Sequence, residues 1–249
     1  MPSAEKQFVA ELEVYRIEIE SGIKFLYTWL TLHAVATKNE KVSILFNSSP
    51  IFWNTILGAL QSSFIITIGR VFDSGQSTHS IDKLLNLAHK NLDIFSKESL
   101  ATRKLLNSIN SKDWIDDYLK NVYVPKKADL RKIKRYVSLR RKIYDEKYSS
   151  LRNKIIAHKE KLSDEQIRDL YSKADIKELQ KLYTSICKIY EVLWQLLHNG
   201  RKPNFKNQRY SVTKILKNSS PEFNQKTLQE RTIRETEKLL CLIAANVTN

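Results

Sequence analysis

The chain has 249 residues, 42% of them hydrophobic, with five Gly, five Pro and two Cys; that suffices for one large domain, or one domain with an appendage, around a real core. A net charge of +15 implies an anionic partner, nucleic acid before a membrane surface. Cys187 and Cys241 are too few for a disulfide framework or a zinc site and suit a reducing cytoplasm.

Long segments with helical periodicity dominate, and no strands recur at regular spacing, so the expected class is all-α. The N-terminus, Met1-Pro2-Ser3-Ala4, lacks the apolar run of a signal peptide. A first helix is predicted over 4–37. Its stripe is Phe8, Leu12, Tyr15, Ile19, Gly22, Leu26, Leu30 and His33, a near-heptad seam. His33 on that seam reads as a core histidine. Glu11, Glu13, Glu18 and Glu20 read as a solvated acidic face. Residues 38–50 are a polar connection with a short apolar turn at Val42–Phe46.

Residues 51–69 carry no charge. Asn54, Gln61, Ser62, Ser63 and Thr67 interrupt the apolar run. This argues against a membrane span and for a buried central helix. The helix ends at Arg70-Val71-Phe72-Asp73, and Ser74-Gly75 turns the chain. Arg70 and Asp73 are three apart, spaced to pair; the alternative is that Arg70 faces an anion site shared with Arg152. Ser80 caps a short helix through Asn91, with Ile81, Leu84, Leu85 and Ala88 inward and His79 and His89 at the surface. Short helices are predicted over 96–110 and 112–121. Pro125 marks an extended link.

The next helix, 127–162, organises the rest. Leu130, Ile133, Val137, Tyr144, Tyr148, Leu151 and Ile155 recur in threes and fours, with one gap of seven at Arg140. Its other face is basic: 126–160 holds thirteen Lys/Arg against four Asp/Glu, a net +9 of the chain's +15. Ser163 and Gln166 form a capping box that starts a new helix at 163. His158 therefore lies at the end of the basic helix and continues its stripe, so it is expected to point inward. Arg152, six residues earlier, would sit about 120° away on an unbroken helix. The two meet on one ligand only if the helix frays after Ile155 or a second copy completes the site. A helix 163–172 and a longer one, about 175–198, follow, the second with Leu179, Leu182, Ile186, Ile189, Leu193 and Leu196 inward and closed by Asn199-Gly200. Residues 200–222 read as a mobile basic connection with a short strand at Tyr210–Leu216. A final helix spans about 222–245. The division is thus a helical domain over 1–199 and a basic linker plus helix over 200–249.

Arg152-Asn153 followed by His158 at a helix end, in an all-helical chain, resembles the ribonuclease motif of the HEPN superfamily. The stretch Ile68-Gly69-Arg70-Val71-Phe72-Asp73 followed by Ile81-Asp82-Lys83-Leu84-Leu85 resembles its abortive-infection branch. The resemblance covers roughly residues 5–198 and implies a HEPN-like bundle of long antiparallel helices. It also implies metal-independent RNA cleavage, in which the ribose 2′-hydroxyl attacks the adjacent phosphorus. His158 would be the acid–base group, Arg152 the phosphate ligand, and Asn153, Arg70 and Asp73 supporting residues. Lys127, Arg131, Lys134, Arg135, Arg141 and Lys142 would hold RNA backbone. No metal or cofactor is called for. The implied partners are RNA, a second copy facing the first across the motif, and a neutralising antitoxin. Some relatives carry a modified Tyr two residues after the motif His; here that position is Glu160, so that modification lacks its target.

Other chemistries lack their residues: there is no Gly-rich phosphate loop, paired Cys motif or His-Glu-x-x-His. Two functions from different classes remain. One is a toxin-like antiphage endoribonuclease. The other is a non-catalytic helical module that docks nucleic acid or a protein through the basic helix, with Arg152 bridging to Asp145 and His158 merely capping the helix.

Overall fold

The computed structural model describes residues 3–75, 78–107, 114–158, 160–206, 210–218 and 227–246. They form α1 (Ala4–Ala36), α2 (Glu40–Ser48), α3 (Pro50–Val71), α4 (Ile81–Lys90), α5 (Lys97–Asn107) and α6 (Ile115–Lys120). These are followed by α7 (Lys127–Tyr144), α8 (Asp164–Lys173), α9 (Ile176–Asn199), α10 (Val212–Lys217) and α11 (Leu228–Ala245). Among the described residues there is no strand, and the architecture is an all-α, HEPN-like bundle. The expected strand at Tyr210–Leu216 is helix α10. The expected turn at Val42–Phe46 is helix α2, which Asn39 caps through the amide of Val42 at 3.3 Å.

Helix α1 is the spine, about 50 Å long at 1.5 Å per residue. It packs on α3, α11, α9 and α4. The predicted seam holds from Phe8 to Leu26 and then rotates. Tyr27, Thr31, Leu32 and Val35 are buried, whereas Leu30 is half-buried and His33 is exposed against the Trp29 ring. A straight helix drifts about 20° per heptad from a strict seven-residue repeat, enough over four heptads to turn His33 off the face.

Helix α3 corrects another expectation. Its C-terminal part, Phe64, Ile65, Thr67, Ile68, Gly69 and Val71, is buried, but only 22% of its most apolar window is. Ile51 and Phe52 near its start lie in the open. The absence of charge reflects a buried half joined to an exposed neutral half.

The core follows the remaining stripes closely. Ile81, Leu84, Leu85 and Ala88 of α4 are all buried, and Ser80 caps that helix. Leu130, Ile133, Val137 and Tyr144 of α7 and Leu179, Leu182, Ile186, Ile189, Leu193 and Leu196 of α9 join them. Arg140, at the gap in the α7 stripe, lays its guanidinium over the Tyr136 ring at 3.8 Å. Gly200 ends α9 in the left-handed conformation, φ 54°, as a glycine after a helix end allows. Its carbonyl accepts from Tyr123 at 2.7 Å and pins the link that feeds α7. Asp175 caps α9 through Lys177 at 2.7 Å, while Glu178 turns to Lys181.

Helices α10 and α11 lie against α1. Val212 and Ile233 belong to the main core, and Leu240 and Ala244 join Leu32, Val35, Val42 and Trp53 in a second cluster. Leu239 and Ile243 of α11 are exposed. The start of the predicted 222–245 helix lies outside the described residues; α11 begins after a Thr227–Glu230 capping box.

Candidate functional site

Helix α7 does not stop at Tyr144. It runs on through two π turns, Asp145–Ser149 and Arg152–Ala157, separated by a short α-helical step. In a π turn the backbone bonds reach to i+5, and the His158 amide accordingly donates to the Asn153 carbonyl at 3.2 Å. Such turns concentrate at functional sites, and this one carries Arg152, Asn153 and, at its end, His158.

The extra residue in that turn rotates everything beyond it by about 100° relative to a continuous α-helix. This overturns the inward expectation for His158: its side chain is exposed. Leu151 keeps to the core, Ile155 is half-buried, and Arg152 is half-buried. The Arg152 Nη1 donates to the Asn153 Oδ1 at 2.8 Å, so Asn153 orients the guanidinium rather than leaving Arg152 to pair with Asp145. The Arg152 Nε is buried and has no hydrogen-bond partner among the described residues.

Arg152 lines a cavity of about 440 Å³ together with Arg70, Asp73, Glu11, Glu18, Tyr15 and His79. Arg70 and Arg152 thus face one space, as the second of the two readings of Arg70 has it. The first reading fails: Arg70 Nη1 pairs with Glu18 of α1 at 3.2 Å, and Asp73 instead accepts from the Gly75 amide at 2.9 Å. Glu11, read as part of a solvated face, is largely buried and holds both His79 Nδ1 (2.8 Å) and Lys83 Nζ (2.7 Å). Partial burial pushes its carboxyl up, but hydrogen bonds from Lys83 and His79 outweigh that and leave its pKa below the ordinary value. Glu13 and Glu20 do form a charged face, with Arg16 between them. Glu11 and Glu18 are seven apart, two turns along one face beside Tyr15, but so are Glu13 and Glu20, and the sequence carries no spacing signal that separates the two pairs.

Gly69 gives no signal of its role in the sequence. A Cβ there would stand 2.9 Å from the Tyr144 hydroxyl and 3.0 Å from Arg152 Nε, so its bare backbone lets α3 close on the π turn. Tyr144 is fixed in turn by stacking on Phe72 at 5.4 Å between ring centres. Replacing Gly69 with Ala should leave the melting temperature nearly unchanged, because about 1 kcal/mol of helix propensity offsets the crowding. Displacing Arg152 should lower phosphate-dependent activity about tenfold, since even ångström-scale misplacement is costly. Parallel thermal melts and activity assays separate the two effects.

The basic face divides. Lys127, Arg131, Arg135 and Lys142 are exposed. Lys134 is half-buried and donates to Asn86 at 2.7 Å. Arg141 is committed within the fold, donating to the Phe72 carbonyl at 2.8 Å and to Asp82 at 2.6 Å. It ties α7 to the corner after α3 and to α4, which corrects its assignment to the backbone-binding set. Among the described residues, no three His, Cys, Asp or Glu side chains gather as metal ligands.

Comparison with known proteins agrees with the family resemblance. No curated protein and no solved structure matches the chain significantly. Residues 5–218 match the HEPN family of AbiU2, and the chain belongs to that family of abortive-infection HEPN domain proteins.

Proposed function

We propose that the protein is a toxin-like endoribonuclease of antiphage defence that cleaves RNA without a metal, by attack of the 2′-hydroxyl on the adjacent phosphorus. The observation that carries this reading is the π turn. It places Arg152, braced by Asn153, in a cavity with Arg70, and leaves His158 exposed at the end of the turn. The two guanidiniums bind the scissile phosphate, and Arg152 stabilises the charge that grows on it through its fork of donors. His158 transfers a proton, a role to which imidazole is suited near neutral pH. Since His158 is exposed and does not line the cavity within its own chain, a homodimer with facing motifs supplies it across the interface. The working compartment is the cytoplasm, and a neutralising antitoxin would cover this face.

The test is purified protein with total RNA in EDTA, beside Arg152→Ala and His158→Ala. The reading expects cleavage by wild type alone, with 2′,3′-cyclic phosphate ends. Equal cleavage by all three would end it. The exposure of His158 favours a second reading, a non-catalytic nucleic-acid module; binding without cleavage by all three proteins would establish that one instead.

RNA backbone would lie along the exposed cations of α7. Replacing Lys127, Arg131 and Arg135 together with Gln should reduce the slope of log Kd against log salt by about two, at roughly 0.7 per phosphate contact on a single strand. Fluorescence anisotropy over a salt series measures it, and an unchanged slope would place the RNA elsewhere.

A further inference from the structure

Cleavage by a 2′-hydroxyl needs one group to take its proton and another to protonate the leaving oxygen. Within a single chain His158 is exposed and absent from the cavity that Arg152 lines. The imidazole that does line it belongs to His79, from the loop before α4. Its Nδ1 lies 2.8 Å from a carboxylate oxygen of Glu11, whose other oxygen is held by Lys83 at 2.7 Å. The carboxylate is 12% exposed and anchored on the long helix α1, whereas the imidazole is 57% exposed and open to a ligand. A carboxylate that accepts from Nδ1–H fixes the tautomer and leaves the Nε2 lone pair free.

We propose that His79, oriented by Glu11, is the general base that serves Arg152 within one chain. The inference rests on the ribonuclease reading. A phosphate held by Arg70 and Arg152 brings its ribose to this cavity, whose volume suits one nucleotide. The 2′-hydroxyl proton passes to Nε2 of His79, the 2′-oxygen–phosphorus bond forms and the phosphorus–5′-oxygen bond breaks. The 5′-oxygen leaves with a proton from His158. No oxidant or metal is required for the balance. The charged groups around His79 are Glu11 and Glu18 of α1, Arg70 and Asp73 at the end of α3, Lys83 of α4, and Arg152. Glu11 is a positioning residue, since it reaches the substrate only through His79.

The experiment is single-turnover cleavage of a synthetic RNA in EDTA by the full chain, with His79→Ala and Glu11→Gln. Binding of the same oligonucleotide with 2′-deoxyribose at the cleaved position is measured alongside. His79→Ala should cleave about 10²–10⁴-fold more slowly, bind the deoxy analogue normally and regain rate when imidazole is added. Glu11→Gln should lower kcat about tenfold or more with KM unchanged. Wild-type cleavage by His79→Ala overturns the proposal and leaves the ribonuclease reading intact. Slow cleavage that imidazole does not restore, with weakened binding, assigns His79 a structural role and also overturns it. No cleavage by the wild-type chain overturns the ribonuclease reading, and the role of His79 with it.

Discussion

Replacing Arg152 with Ala is expected to lower kcat for RNA cleavage about 10²–10³-fold, the loss seen when one preorganised donor to a developing oxyanion is removed. The surroundings of the side chain suit it to that role. Asn153 accepts from one guanidinium nitrogen at 2.8 Å, and the cavity it shares with Arg70 supplies a second cation. Arg152→Lys should recover little of the rate, because an ammonium cannot bond Asn153 and grip a phosphate through a planar fork at once. The fold should survive either change. Arg152 is half-buried, and its hydrogen bond runs to its own neighbour rather than across the core. Time courses on end-labelled RNA, with melting curves for each variant, check both halves. Cleavage by Arg152→Ala near the wild-type rate would remove the site from this cavity.

The largest stability effect is expected from Gly22→Ala. A Cβ at Gly22 would stand 2.4 Å from Cε1 and the hydroxyl oxygen of Tyr183. That ring has little room to yield, being 1% exposed with its hydroxyl donating to the Phe64 carbonyl at 2.6 Å. The contact joins α1, α9 and α3 at the centre of the bundle. Ala gains about 1 kcal/mol of helix propensity. Crowding costs about 1–3 kcal/mol, and stranding the phenol a further 1–3 kcal/mol or so. The net loss, about 1–5 kcal/mol, should lower Tm by roughly 2–4 °C per kcal/mol. Trimming the ring should relieve the clash, so Gly22→Ala combined with Tyr183→Leu should lose less than the sum of the single changes. A higher Tm for Gly22→Ala would mean the helices part there freely.

Family membership and the bundle were both legible because their signals are local. The stripes of α4, α7 and α9, the Ser163–Gln166 capping box and the Asn199-Gly200 stop are fixed by backbone geometry and by which side chains leave water. Arg152-Asn153 and His158 stand out as a pattern for the same reason. The site's pairings were not legible, because partner choice depends on which helices lie side by side. Arg70 bonds Glu18, 52 residues away in the chain, rather than Asp73 three residues on. Arg141 joins Phe72 and Asp82 rather than standing free for RNA. The neutral stretch 51–69 could not reveal that its later half lies in the main core while its first half is mostly exposed, with Trp53 in the second cluster. The π turn was beyond the periodicity altogether. A 3.6-residue repeat places His158 on the buried stripe; one extra residue per turn, held where Arg152 packs beside Gly69 and Tyr144, carries it into solvent. Neighbours a few residues apart set the helices, their inward faces and the family motif, so these could be read from the chain alone. Which charges meet, and which way the motif histidine faces, depend on contacts between helices remote in the chain, and only the folded bundle settles them.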